Sequence, residues 1–467
     1  MTLSMSLFAN SAIGCLYARS WKGQRTLLGR TNSAVASWNG YVNAVYDAGQ
    51  LTHAWTYLPD GTPVASQQWS YGYDAAQNLA KRTNNTTVET FAVNALNQLT
   101  AVPDSTPSYD RRGNLTQRYF PAGPQYYWTY TYDVENQLAS VATDTYYTYD
   151  TYRFKVEFTY DGQGRLRVRK DYTWSAGAWV LGTESRYVYD GMLLVQERDG
   201  SNTPTVTYTR GRDLSGNLQG AGGIGGLLAR SHGYSGGNWS THNFYHADGN
   251  GNVTALVNSS GTLQASYKYD PYGRYLGQSG ALATANVLRF SSKPWMGFNG
   301  STTSGLYAYG YRFYDPYLQR WLTRDPIGEP GFEAQRRWFS DVLGDGPNRY
   351  TYLNNAPVSS IDSYGLGIIS ACKSFWWKII HYSEWVGQAE DMRKKIKDAY
   401  DAAKSGKGCA ALDSVTAHYC NCFNKYTNGS NPEAIAQCIC AGNPNPDCEQ
   451  NALKNIKKVS KIINAIE

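Results

Sequence analysis

The sequence predicts a mainly β protein, a spiral of stacked hairpins, with a small α-helical, cysteine-rich domain behind it. Three observations carry this prediction. A Tyr-Asp unit recurs along the first half of the chain, aromatic residues and glycine are abundant while charge is sparse, and cysteines and helical patterns gather after Leu366. The 467 residues include 39 Tyr, 14 Trp and 46 Gly but only 17% charged residues, a profile of twisted strands joined by tight turns. A hydrophobic content of 42% permits two or three domains with sizeable cores.

The net charge of +6 comes from 43 basic and 37 acidic residues with no dense run of one sign, so no nucleic-acid partner is expected. No run reaches the roughly 18 apolar residues of a membrane-spanning helix, so no transmembrane segment is expected either. The opening MTLSMSLFANSAIGCLYA lacks the Lys or Arg that starts a secretory signal, leaving no clear signal peptide. Ala12-Ile13-Gly14-Cys15 faintly matches a lipoprotein cleavage box; a buried strand, or a start placed inside a longer parent chain, is the preferred reading. Residues 1–39 form an N-terminal segment ahead of the repeats, truncated on the parent-chain reading.

Residues 40–210 carry the hairpins: YDAGQL at Tyr46, YGYDAAQNL at Tyr71, YDRRGNL at Tyr109, YTYDVENQL at Tyr130, FTYDGQGRL at Phe158 and YVYDGMLL at Tyr187, with a degenerate NALNQL at Asn94. Alternation puts Tyr130 and Tyr132 on one strand face. Asp133 then bonds into the turn, an Asn or Gly supplies positive φ, and Leu138 opens the return strand. One hairpin cannot bury its own aromatic face, so neighbours must stack. The uneven spacing of the copies predicts a long spiralling sheet with insertions rather than a small closed barrel.

Two motifs between the repeats and the end invite over-reading. Gly220-Ala221-Gly222-Gly223-Ile224-Gly225 fits the dinucleotide fingerprint, but no helix pattern follows and residues 238–247 hold no acid for a ribose; close backbone packing is expected instead. His246 and Asp248 lie in a Gly- and Asn-rich turn and read as a hydrogen-bonded corner ahead of a metal or proton-transfer pair. Asn-X-Ser/Thr patterns, as at Asn114 and Asn252, fall where turns want Asn, so no glycosylation is read from them.

Residues 367–467 change character. Phe375, Trp376, Ile379, Ile380, Trp385, Val386, Ala389, Met392, Ile396, Ala399, Tyr400 and Ala403 recur at three- and four-residue steps, predicting an amphipathic, core-facing helix, with shorter helices around 410–426, 432–439 and 452–466. Seven of the eight cysteines lie here: Cys372, Cys409, Cys420, Cys422, Cys438, Cys440 and Cys448. Two or three disulfides suit a small secreted module; zinc through the two CxC pairs and His418 is the lesser reading, since structural sites favour CxxC spacing. No metal or other cofactor is expected. His381 and His418 are the only histidines after Leu366, and no nuclease or protease constellation stands out there.

The Tyr-Asp units, together with DLSGNLQGAGGIGGLLA at Asp213, HADGNGNVTALVNSSGTL at His246, YDPYGRYL at Tyr269 and GLYAYGYRFYDPYLQRWLTRDPIG at Gly305, resemble the YD-repeat and Rhs family. That family includes bacterial polymorphic toxins, the C component of insecticidal toxin complexes and the animal teneurins. The resemblance covers about residues 40–366, with an Rhs-associated core over 211–366. It implies a spiralling YD-repeat β-shell, often hollow, closed by the core and followed by a variable C-terminal domain. In many members the core is an aspartyl-type autoprotease that cuts after a DPxGL motif and leaves the released piece inside the shell. The matching stretch here, Asp362 to Leu366, places the cut between Leu366 and Gly367.

Arg324 and Asp325 match the family's Arg-Asp pair. Catalysis needs a second carboxylate, with Asp362, Asp345 and Asp341 as candidates in that order, so that a pair can share one proton. Against cutting stand Ser363 in place of the motif's Pro and a long segment from Glu329 to Gly346. The structural alternative is that Asp325-Pro326 starts a turn while Arg324 pairs with a carboxylate. The expected function is a secreted or surface-delivered shell carrying a toxin-like module, whose partners would be an immunity protein or a target-cell molecule. The alternatives are a non-enzymatic adhesive scaffold whose aromatic faces meet carbohydrate, and a gene fragment without independent function.

Overall fold

The computed structural model describes residues 2–366 except 9–10, 21–23, 121–126, 147, 302 and 327–347, together with the backbone of 368–370. These lie in the first of two compact units, Met1–Cys372. The helical domain expected over 367–467, with its cysteines, lies outside the described residues. Within them the protein is mainly β, and its only helices are short 3-10 turns such as Ser33–Trp38 and Leu353–Asn355.

Two long antiparallel meanders hold most of the chain. The first has eight strands in sequence order, from Thr2–Phe8 to Thr87–Thr90, and the second has fourteen, from Thr106–Tyr109 to Tyr275–Ser279. Three strands of the first sheet, Thr2–Phe8, Ser11–Arg19 and Arg25–Asn32, precede the first Tyr-Asp unit, so the sheet crosses residue 40 without a break.

The turns explain the repeat letter by letter. Asp133 Oδ1 accepts the amides of Glu135 at 3.0 Å and Gln137 at 2.8 Å, Asn136 takes the positive φ of 68°, and Leu138 is buried behind it. The same pair of bonds, from the second and fourth following amides, recurs at Asp74, Asp161, Asp199, Asp248 and Asp270. Asn does the same work in the degenerate copy at Asn94, and again at Asn258. Two copies close more tightly, pairing Asp47 with Gln50 and Asp190 with Leu193 across two-residue loops.

The tyrosine has a second task that alternation does not reveal. Its hydroxyl donates to the carbonyl of the leucine that opened the previous return strand: Tyr73 to Leu51 at 2.8 Å, Tyr132 to Leu115 at 2.8 Å and Tyr160 to Leu138 at 2.7 Å. Tyr269 reaches Val253 in the same way at 2.9 Å. At positions 210 and 211 the sequence reads Arg-Gly instead of Tyr-Asp, and the Arg210 guanidinium reaches Leu194 O at 2.8 and 3.1 Å in the tyrosine's stead. These five units are thereby tied to their predecessors.

The described residues between 288 and 366 form an aromatic block that engages both sheets. Tyr307, Tyr314, Trp321 and Tyr352 are fully buried, and the rings of Tyr314 and Tyr352 stack with centroids 3.8 Å apart. The block bonds to the first sheet through Arg82 to Tyr317 O at 2.8 Å and Arg25 to Val358 O at 3.0 Å. Leu115 N donates to Leu322 O at 2.9 Å, tying in the second sheet.

The turn chemistry yields a test. Asp133→Ala should lower stability by about 1–2 kcal/mol through loss of two charge-assisted bonds, whereas Asp133→Asn, which keeps the acceptor as Asn94 and Asn258 do, should cost less than half of that. Denaturant midpoints of the two variants check this, and equal losses would show that the carboxylate's charge, not its acceptor geometry, holds the turn.

Candidate functional site at the chain junction

The expected cut site is a buried turn. Asp362, at 1% exposure, turns its Oδ1 onto three successive amides, those of Tyr364 at 3.1 Å, Gly365 at 2.6 Å and Leu366 at 3.1 Å. Gly365 takes a φ of 78°, which closes the bend. Beyond it the backbone of Ile368–Ser370 pairs antiparallel with Ser360–Asp362, matching Asp362 with Ile368. The segment that precedes the junction is thus bonded to the one that follows it.

One arginine gathers the expected carboxylates. Arg312, almost wholly buried, places one terminal nitrogen 3.0 Å from Asp325 Oδ2 and 3.6 Å from Asp362 Oδ2. Its Nε donates to Gly365 O, one residue before the expected cut, and its guanidinium lies 4.2 Å from the centre of the Trp321 ring. Asp325 and Asp362 are therefore both gathered by the Arg312 guanidinium. Arg324, the arginine singled out from sequence, lies elsewhere: a Cβ added to Gly113 would fall 2.6 Å from its Nε. Asp341 and Asp345 lie outside the described residues, as does Gly367.

A second cation reaches the same turn. Lys293 Nζ donates to Ser363 O at 2.6 Å and Gly222 O at 3.0 Å. Burial pulls its amine down to about 7, against the opposing pull of Asp362. The sequence reading did not single out Lys293 or Arg312; Arg312 sits inside the block that starts at Gly305 and Lys293 in the stretch before it, and no local pattern marks either.

The glycine-rich stretch belongs to this site. Asp213 Oδ2 accepts the amides of Ala221 at 2.7 Å and Gly223 at 3.1 Å, so the loop wraps a carboxylate of its own chain. Gly222, at φ 62°, presses its backbone against Ser363, where a Cβ would collide with the Ser363 carbonyl. Tyr364 completes the clamp through its hydroxyl to Gln219 O and its carbonyl to Tyr311 N at 2.9 Å. The Ser363 hydroxyl, buried with no hydrogen-bond partner among the described residues, occupies the place where the motif has Pro. Asp248 is a turn former, its Oδ2 taking Asn252 Nδ2 at 2.8 Å, and no three His, Cys, Asp or Glu residues gather as a metal site among the described residues.

Stacked Tyr-Asp hairpins ending in an aromatic block that clamps the chain junction define the repeat-hairpin β-shell class. Residues 38–180 match the teneurin YD-shell family. Over its described β-region the chain is similar to YD-repeat and Rhs-type proteins. It is 28% identical over 318 residues to the tRNA(Glu)-specific nuclease WapA of Bacillus subtilis subsp. natto, covering 68% of this chain and 10% of that protein. It is 26% identical over 313 residues to the double-stranded DNA deaminase toxin A of Burkholderia cenocepacia, covering 65% and 20% respectively. Among solved structures the crystal structure of TcdB2-TccC3 is similar at a TM-score of 0.35 and 18% identity, over 78% of this chain and 21% of that one. The chain spans between a tenth and a fifth of the length of these relatives.

The lysine makes a pH prediction with a defined sign. Because the folded amine titrates near 7 and a free lysine near 10.5, the unfolded chain binds the extra proton between those values, so stability attributable to Lys293 rises with pH in that window. Relative to Lys293→Met, the wild type should gain up to about 1.4 kcal/mol per pH unit between pH 7 and pH 9. Parallel stability curves for the two proteins over that range would show that the amine titrates normally.

Proposed function

We propose that this chain is the shell part of an Rhs-type toxin, that residues 367–467 are the variable module it delivers, and that the junction is built to be cut after Leu366. The observation that carries the reading is the clamp on Asp362 to Leu366: two cations, two carboxylates and a glycine-rich loop converge on a turn that packing alone could bury. In this reading Asp362 shapes the turn, because its Oδ1 already accepts three amides. Asp325 is the carboxylate that acts on the scissile peptide, Arg312 orients the Gly365 carbonyl beside it, and Lys293 exchanges protons near neutral pH. The relatives named for toxin and nuclease activities support a toxin-type module, whose producer would need an immunity protein against it. Secretion or surface delivery follows from that role; no helix among the described residues is long and apolar enough to cross a membrane.

Intact-mass measurement of the purified chain tests the cut. The expected result is two species divided between Leu366 and Gly367, and a single uncut species for Asp325→Asn, because an amide cannot shuttle the proton. Full-length mass in the wild type after prolonged incubation at neutral pH would remove the protease reading and leave the cluster a structural clamp.

The helical, cysteine-rich character of the module is tested separately. Each disulfide of a domain this small is typically worth about 2–4 kcal/mol, so reductant should lower the melting temperature of residues 367–467 sharply while a chelator leaves it unchanged. The reverse result would make Cys420, Cys422, Cys438 and Cys440 metal ligands and withdraw support for an oxidising compartment.

A further inference from the structure

Away from the junction, a half-open cavity of about 150 Å³ lies between the first sheet and the turns of the second. Its walls are apolar, formed chiefly by Leu28, Trp38, Tyr41, Val42 and Trp69. A cavity of this size and lining accommodates one benzene-sized ring.

Its margin carries Arg30, Lys268, Asp248 and Asp270; the Asp270 Oδ1 accepts the amides of Tyr272 and Arg274, and burial pushes its carboxyl up. Arg30, whose guanidinium lies 5.5 Å from the centre of the Trp38 ring, is committed to Tyr267 O at 2.6 Å and Ser266 Oγ at 2.9 Å. Asp248 is committed as well, its two oxygens taking Asn250 N, Asn252 N and Asn252 Nδ2. Lys268 also lines the cavity, half-buried, and its amine has no hydrogen bond or ion pair with any described residue. Burial and the nearby Arg30 both pull that amine downward, the response of a cation that lacks a counter-ion. An anion placed there would relieve the desolvation of the amine and meet a second positive charge at Arg30.

We infer that this cavity is a binding site for a small aromatic carboxylate, its ring against the Trp38 and Trp69 wall and its carboxylate on Lys268. A single uncommitted amine matches a monoanion; a phosphate dianion would call for more donors than the margin offers. The site is independent of the junction and of whether the chain is cut.

Fluorine NMR of 4-fluorobenzoate with the full chain tests it. The expected result is saturable broadening that unlabelled benzoate reverses, with affinity falling roughly tenfold for 4-fluorobenzyl alcohol and for Lys268→Met, in line with loss of a hydrogen bond to a charged group. Lys268→Arg should keep most of the binding, which separates loss of charge from loss of fold. Absence of saturable broadening with the wild type would overturn the proposal. So would equal binding of 4-fluorobenzylamine, or undiminished binding by a folded Lys268→Met protein.

Discussion

The sheets depend on one arrangement, the Tyr-Asp turn with its two hydrogen-bonding side chains. A meander of many antiparallel strands is prone to slip, since a shift of one residue exchanges its faces. Here the aspartate fixes each turn internally, and the tyrosine hydroxyl fixes that turn to the preceding one, as Tyr132 does on Leu115 and Tyr160 on Leu138. The tyrosine pairs at a register shift, as between Thr131 and Tyr132, so the extra residue of the bulge aims the ring along the sheet. Each bond contributes only about 1 kcal/mol net, but the contributions repeat with every unit and reinforce nearest neighbours, as in other repeat proteins.

The same turns are sockets for the closing block. Tyr350 donates to Gly113 O at 2.7 Å, Asn355 to Gln77 O at 2.8 Å, and Asn348 to Asn78 Oδ1 at 2.7 Å. All three acceptors belong to Tyr-Asp turns, two of them backbone carbonyls and the third the Asn78 side chain. Gly113 shows how close the fit is, because Tyr350 and Arg324 fill the space in which any Cβ would sit. Burial of the junction thus rests on the geometry of turns more than two hundred residues earlier in the chain.

Local chemistry was the part readable from sequence. The Asp caps, the positive-φ Asn and the buried Leu follow from three or four adjacent letters, and the structure repeats them unit after unit. The close backbone packing expected of Gly220 to Gly225 is there too, with the amides of Ala221 and Gly223 on Asp213. What could not be read were partnerships between distant segments. Arg312 and Lys293 meet Asp362 only because the block folds back on itself, and Arg210 substitutes for a tyrosine through a contact that is invisible until the preceding unit is in place. The arginine adjacent to Asp325 was what the family resemblance implied, yet in an extended segment neighbouring side chains point to opposite sides. Asp325 turns inward to Arg312 while Arg324 faces the Gly113 turn.

The charges at the junction are costly, and the cost is itself informative. Arg312, Lys293, Asp325 and Asp362 are nearly all withdrawn from water, and Arg210 is close enough to Lys293 to add repulsion. Buried ion pairs seldom improve on well-packed apolar side chains of the same volume, because desolvation offsets most of the attraction. The surrounding block shows that this chain can close space with aromatics alone, as it does at Tyr307, Tyr314 and Tyr352. A turn that needed only to be held shut could have been packed in that manner. Charged and titratable groups concentrated on one peptide turn, inside a block otherwise sealed by rings, are the physical ground for treating the junction as a site rather than a seam.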